Sequence, residues 1–235
     1  MSFPKPSVPS PLAPPSPWLL LAEATVGLEF VRGLIGSTRG LPRGQGPVLV
    51  VPGFQASDRE TALLRHKLSA LGYTVYGWGQ GRNHGKTGKL LPPLVQRVRE
   101  LAARHALPVK LVGWSLGGVL ARDVAREAPE AVAQVVTLGS PIVGGPKYTV
   151  FAKGYRKQGM DVEQLASKAD AREASRPLPC PVTAIYTRRD GIVAWGSCID
   201  PNHAVEHRET AASHFGLPFH PQTLRLIAQA LAARA

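Results

Sequence analysis

The sequence predicts an α/β fold: a doubly wound, mostly parallel sheet of about six strands with a small cap. Three observations carry the prediction. Short, β-branched apolar runs alternate with helical patterns along the chain. The run Gly113-Trp114-Ser115-Leu116-Gly117-Gly118 stands between a strand-like segment, Val109 to Val112, and a helix-like one, Val119 to Ala128. Finally, 235 residues at 44% hydrophobic content can bury one substantial core, and no repeat or second core is visible.

Met1 to roughly Pro17 is rich in Pro and Ser and lacks the apolar stretch of a secretory signal, so residues 1–17 read as a disordered or extended arm. The remainder, 18–235, reads as one domain that opens with a helix over 18–36. Glu23, Glu29 and Arg32 interrupt that helix too often for a membrane span. Spread over about half of the helical wheel, they suggest a helix packed on the domain edge, with interfacial anchoring as the alternative.

Strands are expected at about 47–52, 73–78, 109–113, 134–139, 181–187 and 204–209, the last at an edge. Helices are expected at about 58–71, 91–106, 116–128 and 221–234. Asp58 is suited to cap the first of these, Leu64, Leu68 and Leu71 share its inner face, and Gly72 ends it. The one long excursion, Pro141 to Pro179, forms a cap over about 142–179, crossing above Ser115.

Chemistry concentrates at the strand-to-helix turn. So tight a turn excludes bulky side chains two places either side of the exposed residue, hence Gly113 and Gly117 around Ser115. Ser115 then projects its hydroxyl at the carboxyl edge of the sheet, and a triad follows in the order serine, acid, histidine. Asp190 lies just past the strand at 181–187 and is the leading acid, with Asp200 second; Asp161 and Asp170 read as solvated surface. His214, in the loop before the last helix, is the expected base, whereas His203, His207 and His220 read as exposed or capping imidazoles. Two backbone N–H groups must face the developing oxyanion, and Leu116 and Phe54 are the candidates.

Taken together, Pro52-Gly53-Phe54, Gly113-Trp114-Ser115-Leu116-Gly117-Gly118, the Asp190-Gly-Ile-Val turn and the Ser-His214-Phe-Gly-Leu turn resemble the bacterial lipase and esterase branch of the α/β-hydrolase superfamily. The resemblance runs from Val48 to the C-terminus. It implies a serine ester hydrolase without a cofactor, with Ser115 as nucleophile, His214 as base, Asp190 as orienting acid, and Phe54 and Leu116 as oxyanion donors. Pro52 and Trp114 stand where many relatives carry histidine, so substrate habits do not carry over directly. Thioesterase, amidase and acyltransferase chemistry would use the same residues, and a non-catalytic binding protein on the same fold is the reading from another class.

Lys plus Arg total 28 against 16 Asp plus Glu, a net charge of +12. These cations are scattered and interleaved with no nucleic-acid motif, so nucleic acid is not expected as a partner. Seven of them, Arg82, Lys86, Lys89, Lys147, Lys153, Arg156 and Lys157, fall in two stretches without acids, 79–89 and 142–160, that should border the serine. With Tyr148, Phe151 and Tyr155 interleaved, this rim is suited to anionic lipid surfaces or negatively charged substrates; the plainer expectation is a solvated cap whose aromatics pack inward. No Cys/His cluster or acidic ligand spacing points to a metal. Cys180 and Cys198 bracket the strand and acid turn, either paired to brace Asp190 or reduced in a cytoplasmic protein.

Overall fold

Six strands form one all-parallel sheet in the order β2-β1-β3-β4-β5-β6: β1 (Pro47–Val51), β2 (Thr74–Gly77), β3 (Val109–Trp114), β4 (Val132–Leu138), β5 (Val182–Tyr186) and β6 (Glu206–Glu209). The computed structural model describes residues 5–157, 159–202 and 204–233. Each strand lies within about two residues of its expected place, and β6 is at an edge, with β2 at the other.

Side-chain alternation along the strands makes two cores. Leu49 and Val51 of β1 point to the face covered by α4 (Thr87–His105) and α5 (Leu116–Glu127), where Leu94, Val98, Leu120 and Val124 are buried. Val48 and Val50 point to the other face, covered by α3 (Ala62–Ala70) and α8 (Pro221–Ala232), where Leu64, Leu68, Ile227 and Leu231 are buried. Strand order reverses between β1 and β3. Loops leaving their carboxyl ends therefore part to opposite faces and open a crevice, the place where open α/β sheets bind ligands.

Three helix expectations need correction. Asp58 does not cap α3, which starts at Ala62; its carboxylate instead accepts the Trp78 and Gly79 N–H groups at 2.9 and 3.0 Å, tying the loop to the end of β2. α4 begins a turn before the expected 91, upstream of Pro92 and Pro93. The helix expected over 18–36 is broken into a 3-10 turn (Pro17–Leu19), α1 (Leu20–Glu23) and α2 (Val26–Ile35). At the break the Thr25 hydroxyl donates to the Ala22 carbonyl at 2.7 Å, the local competition by which threonine bends helices.

That helical pair is polarised opposite to a usual surface helix. Glu23 and Glu29 are buried beneath it, while Trp18, Leu21, Leu28, Val31, Leu34 and Ile35 are exposed. Arg32 is the one charged side chain that 17–36 leaves exposed. The described part of the arm before it forms no helix or strand, and its Val8 and Leu12 pack at Gly196. Among the described residues no helix is long and apolar enough to cross a membrane.

The excursion after β4 carries a 3-10 turn (Gly145–Tyr148), α6 (Ala152–Lys157) and α7 (Val162–Ser175). It is fastened to α5 by buried ion pairs. Arg122 bridges Glu173 at 2.6 Å and Asp200 at 2.5 Å, Arg126 bridges Asp123 and Glu173, and Arg172 reaches Asp123 at 3.0 Å. Burial pushes the Glu173 carboxyl upward, but the charges and hydrogen bonds of Arg122 and Arg126 outweigh it and hold the group below its ordinary value.

Arg122→Met would leave Glu173 and Asp200 buried with their main counter-charge gone. We expect a loss of about 3–5 kcal/mol, read from urea midpoints at constant slope. The Glu173 part of this stability is complete above the ordinary carboxyl value of 4.5 and is lost as the pH falls through the lowered one, so it should vanish from the acid limb of the stability profile.

Candidate active site

Ser115 sits between β3 and α5 with φ 54° and ψ −123°, a conformation an L-residue adopts only under constraint. Its N–H donates to the Leu138 carbonyl of β4 at 2.7 Å. The flanking glycines make the turn feasible, since a Cβ at Gly113 would overlap the backbone of Gly117 and Gly118, and one at Gly117 would overlap the carbonyls of Val51 and Pro52. Ser115 is thus presented at the crevice between β1 and β3.

Asp190, just beyond β5, and His214, beyond β6, meet at the same edge. The His214 Nδ1–H donates to Asp190 Oδ2 at 2.7 Å, with both side chains almost wholly buried. Asp190 Oδ1 accepts the Ile192 and Val193 N–H groups at 2.9 and 2.7 Å, so its carboxylate is fixed on three donors. With Nδ1 occupied as donor, Nε2 is the nitrogen left to accept a proton. Gly139, at the end of β4 with φ 56°, lies under the pair: a Cβ there would stand 3.1 Å from His214 Nδ1 and 3.2 Å from Asp190 Oδ2. The Ser115 hydroxyl holds no hydrogen bond among the described residues; such contacts commonly tighten only when substrate binds.

The other candidates lie elsewhere. Asp200 belongs to the Arg122 ion cluster, and its N–H donates to His207 Nε2 at 2.9 Å. Burial lowers the His207 imidazole below its ordinary value. His220 caps α8, accepting the Gln222 N–H at 3.2 Å, and His203 lies outside the described residues. Asp161 caps α7, and Asp170 accepts the Gly144 N–H. No disulfide joins Cys180 and Cys198; Cys198 is a buried thiol shifted well upward by burial and by the charge of Asp190.

Phe54 and Leu116 line, with Ser115, a cavity of about 310 Å³ beneath the cap. Their N–H groups have no acceptor among the described residues. Buried Asn83, which the sequence reading did not single out, shapes the Phe54 turn. Its Nδ2 donates to the Pro52 carbonyl at 3.0 Å, its carbonyl accepts the Gln55 N–H at 2.7 Å, and its N–H donates to the Ala56 carbonyl at 2.8 Å. Trp114 packs against the site from outside the cavity, its indole donating to the His214 carbonyl at 3.1 Å.

The most consequential residues missed are the two inward carboxylates of α1 and α2. Glu23 Oε1 accepts the N–H groups of Gly191 at 2.9 Å and His214 at 3.0 Å, and Oε2 accepts that of Phe215 at 2.9 Å. Glu29 accepts the Ser213 N–H at 2.9 Å and its hydroxyl at 2.6 Å. One carboxylate therefore joins the Asp190 turn to the His214 turn, and a second fixes the residue before His214. Burial of an apolar run reads as periodicity in sequence, whereas these glutamates look like solvated charges.

The expected cationic rim is partly neutralised by Glu163, which lies just past the 142–160 stretch and pairs with Lys147 at 2.5 Å and Arg156 at 3.1 Å. The rings of Phe151 and Tyr155 contact Phe54, with centroids 5.4 and 6.4 Å from it, and line the cavity, Phe151 staying 38% exposed.

No protein-family model matches the chain. It is similar to a triacylglycerol lipase of Pseudarthrobacter phenanthrenivorans, 31% identical over 183 residues covering 65% of this chain and 57% of the relative. It is also similar to a probable alcohol acetyltransferase of Wickerhamomyces anomalus, 30% identical over 121 residues covering 49% of this chain and 36% of the relative. The chain thus spans between 36% and 57% of the length of these relatives. Among solved structures, a metagenomic carboxyl esterase superposes with TM-score 0.63 at 15% identity, covering 84% of this chain and 78% of that one. Bacillus licheniformis lipase BlEst2 gives 0.61 at 16% identity, covering 84% and 94%. An alpha/beta superfamily hydrolase from Oenococcus oeni gives 0.58 at 14% identity, covering 83% and 94%. At these identities the likeness establishes a shared fold.

Glu23→Ala should slow labelling of Ser115 by a fluorophosphonate by on the order of 10²-fold, because displacing a positioned group by about 1 Å has that effect. Glu23→Gln, whose amide oxygen still accepts but carries no charge, should fall between. Hydrogen exchange at the amides of Gly191, His214 and Phe215 should accelerate in the same order.

Proposed function

We propose that this chain, an α/β hydrolase by fold, is a carboxylic ester hydrolase acting through an acyl-enzyme on Ser115. The observation that carries the reading is the buried Asp190–His214 pair at the sheet edge where Ser115 is held at positive φ. Ser115 Oγ attacks the ester carbonyl while its proton passes to His214 Nε2, and Asp190 stabilises the resulting imidazolium. The N–H groups of Phe54 and Leu116 receive the oxyanion. Collapse of the tetrahedral intermediate breaks the bond to the alcohol, which leaves with the proton from His214. Water, deprotonated by the same imidazole, then attacks the acyl-enzyme and releases the acid and the Ser115 hydroxyl.

Substrates of this reaction are small-molecule or lipid esters, as the names of the lipase and esterase relatives suggest. Likeness to an alcohol acetyltransferase favours a second outcome for the same acyl-enzyme, transfer to an alcohol instead of water. Adding an alcohol during ester turnover and looking for the exchanged ester separates the two. The outward apolar face of α1 and α2, where Arg32 is the exposed charge, favours peripheral attachment to anionic lipid surfaces. Vesicle binding that rises with anionic lipid and weakens in Leu21→Glu and Leu34→Glu supports attachment; equal binding with and without anionic lipid refutes it.

Ser115→Ala should abolish fluorophosphonate labelling and lower ester turnover by about four or more powers of ten with unchanged circular dichroism. Asp190→Asn should approach the same loss, whereas Asp200→Asn should mainly lower stability. Full turnover in purified Ser115→Ala protein would refute the mechanism.

A further inference from the structure

The cavity over Ser115 is apolar along most of its wall, with Phe54, Val119, Phe151 and Met160 among its lining, yet it contains two cations. Both come from α7. Leu165, Lys168, Ala169 and Arg172 line it at spacings of three, four and seven residues, so one face of the cap helix forms its roof. Among the described residues no aspartate or glutamate lines the cavity.

Neither cation is fully engaged. Lys168, an exposed side chain at the rim of the cavity, donates its Nζ to the uncharged Gln164 Oε1 at 3.1 Å. Arg172 gives Nη1 to Asp123, which it shares with Arg126, while its Nε is buried and has no hydrogen-bond partner among the described residues. The Nε itself is enclosed, but Arg172 lines the cavity, and a guanidinium matches a carboxylate. The pair is also one helical turn apart, so a single anionic group can lie against both.

From this juxtaposition we infer that the enzyme's preferred esters carry a carboxylate at the end of the chain remote from the scissile bond, as in half-esters of aliphatic dicarboxylic acids. This rests on the ester hydrolase reading above and names its substrate class. The apolar wall takes the methylene chain, and Lys168 and Arg172 take the terminal carboxylate. Chemistry at the ester is unchanged: the acyl group moves to Ser115 Oγ, methanol leaves from a methyl half-ester, and water releases the diacid.

The test compares methyl half-esters of C4 to C8 diacids with the corresponding dimethyl diesters, which share the chain but lack the charge. In the unaltered protein at low salt, kcat/KM for the best half-ester should exceed that for its diester by about 10-fold or more, the value of one charge-assisted hydrogen bond. The preference should shrink with salt, peak at one chain length, and disappear or invert in Lys168→Glu. Arg172→Gln should also lower it, with its unfolding midpoint measured because Arg172 belongs to the ion cluster. Reading the ratio within each variant cancels a general loss of turnover. A ratio of one or below, or a preference unmoved by both substitutions, overturns the inference while leaving ester hydrolysis intact. Fluorophosphonate labelling without turnover of any ester, p-nitrophenyl acetate included, overturns the ester reading and this one with it.

Discussion

Everything at the site depends on how closely the turn between β3 and α5 passes the neighbouring strands. α5 starts in contact with the end of β1, and the Ser115 N–H is held by the last residue of β4, so the turn is fixed from both sides at a φ of 54°. Such a conformation costs of order 1–3 kcal/mol and persists only where its surroundings over-determine it. Here those surroundings are the central strands themselves, the most buried part of the molecule. The two-faced core therefore acts as the clamp on Ser115, and the crevice at the β1/β3 reversal follows from the same topology.

Much of this was legible in the sequence because it is local or periodic. The strands announce themselves as β-branched runs, and the turn as glycines at fixed spacing around Ser115. The pairing of Asp190 with His214 is legible from their order and from their falling just past strand ends. What stayed hidden depends on contacts distant in sequence. Asn83 looks like any loop residue until its amide is seen bracing the Phe54 turn, and Glu163 lies three residues past the acid-free stretch yet folds back onto Lys147. The carboxylates of Glu23 and Glu29 gave no signal of burial, because a charge satisfied by backbone N–H groups has no periodic signature. Asp58 failed as a cap for a related reason: two N–H groups at the end of β2 compete for it and win.

The cap joins two electrostatic environments through one helix. One side of α7 enters the buried ion cluster through Glu173, and the side that roofs the cavity presents Lys168 and Arg172. Arg172 belongs to both, with Nη1 on Asp123 and Nε uncommitted. Placement of the cap helix over Ser115 is thus set by charge pairing with α5 more than by apolar packing, since the apolar side chains that α7 buries are Val162 and Ala166.

The bonds that complete the site differ greatly in how much chain they close. Ser115 is set by a strand and helix adjacent in sequence, but the bond from the His214 N–H to Glu23 spans 191 residues and that from Gly191 spans 168. Closing such loops is slow and entropically demanding, so the central sheet can form before His214 is seated. The same asymmetry operates in reverse in the folded protein. Release of α1 and α2 is a sub-global opening that frees the His214 turn while both cores remain packed. On the proposed mechanism, loss of activity on mild warming should therefore precede melting, and reverse on cooling without refolding of the sheet.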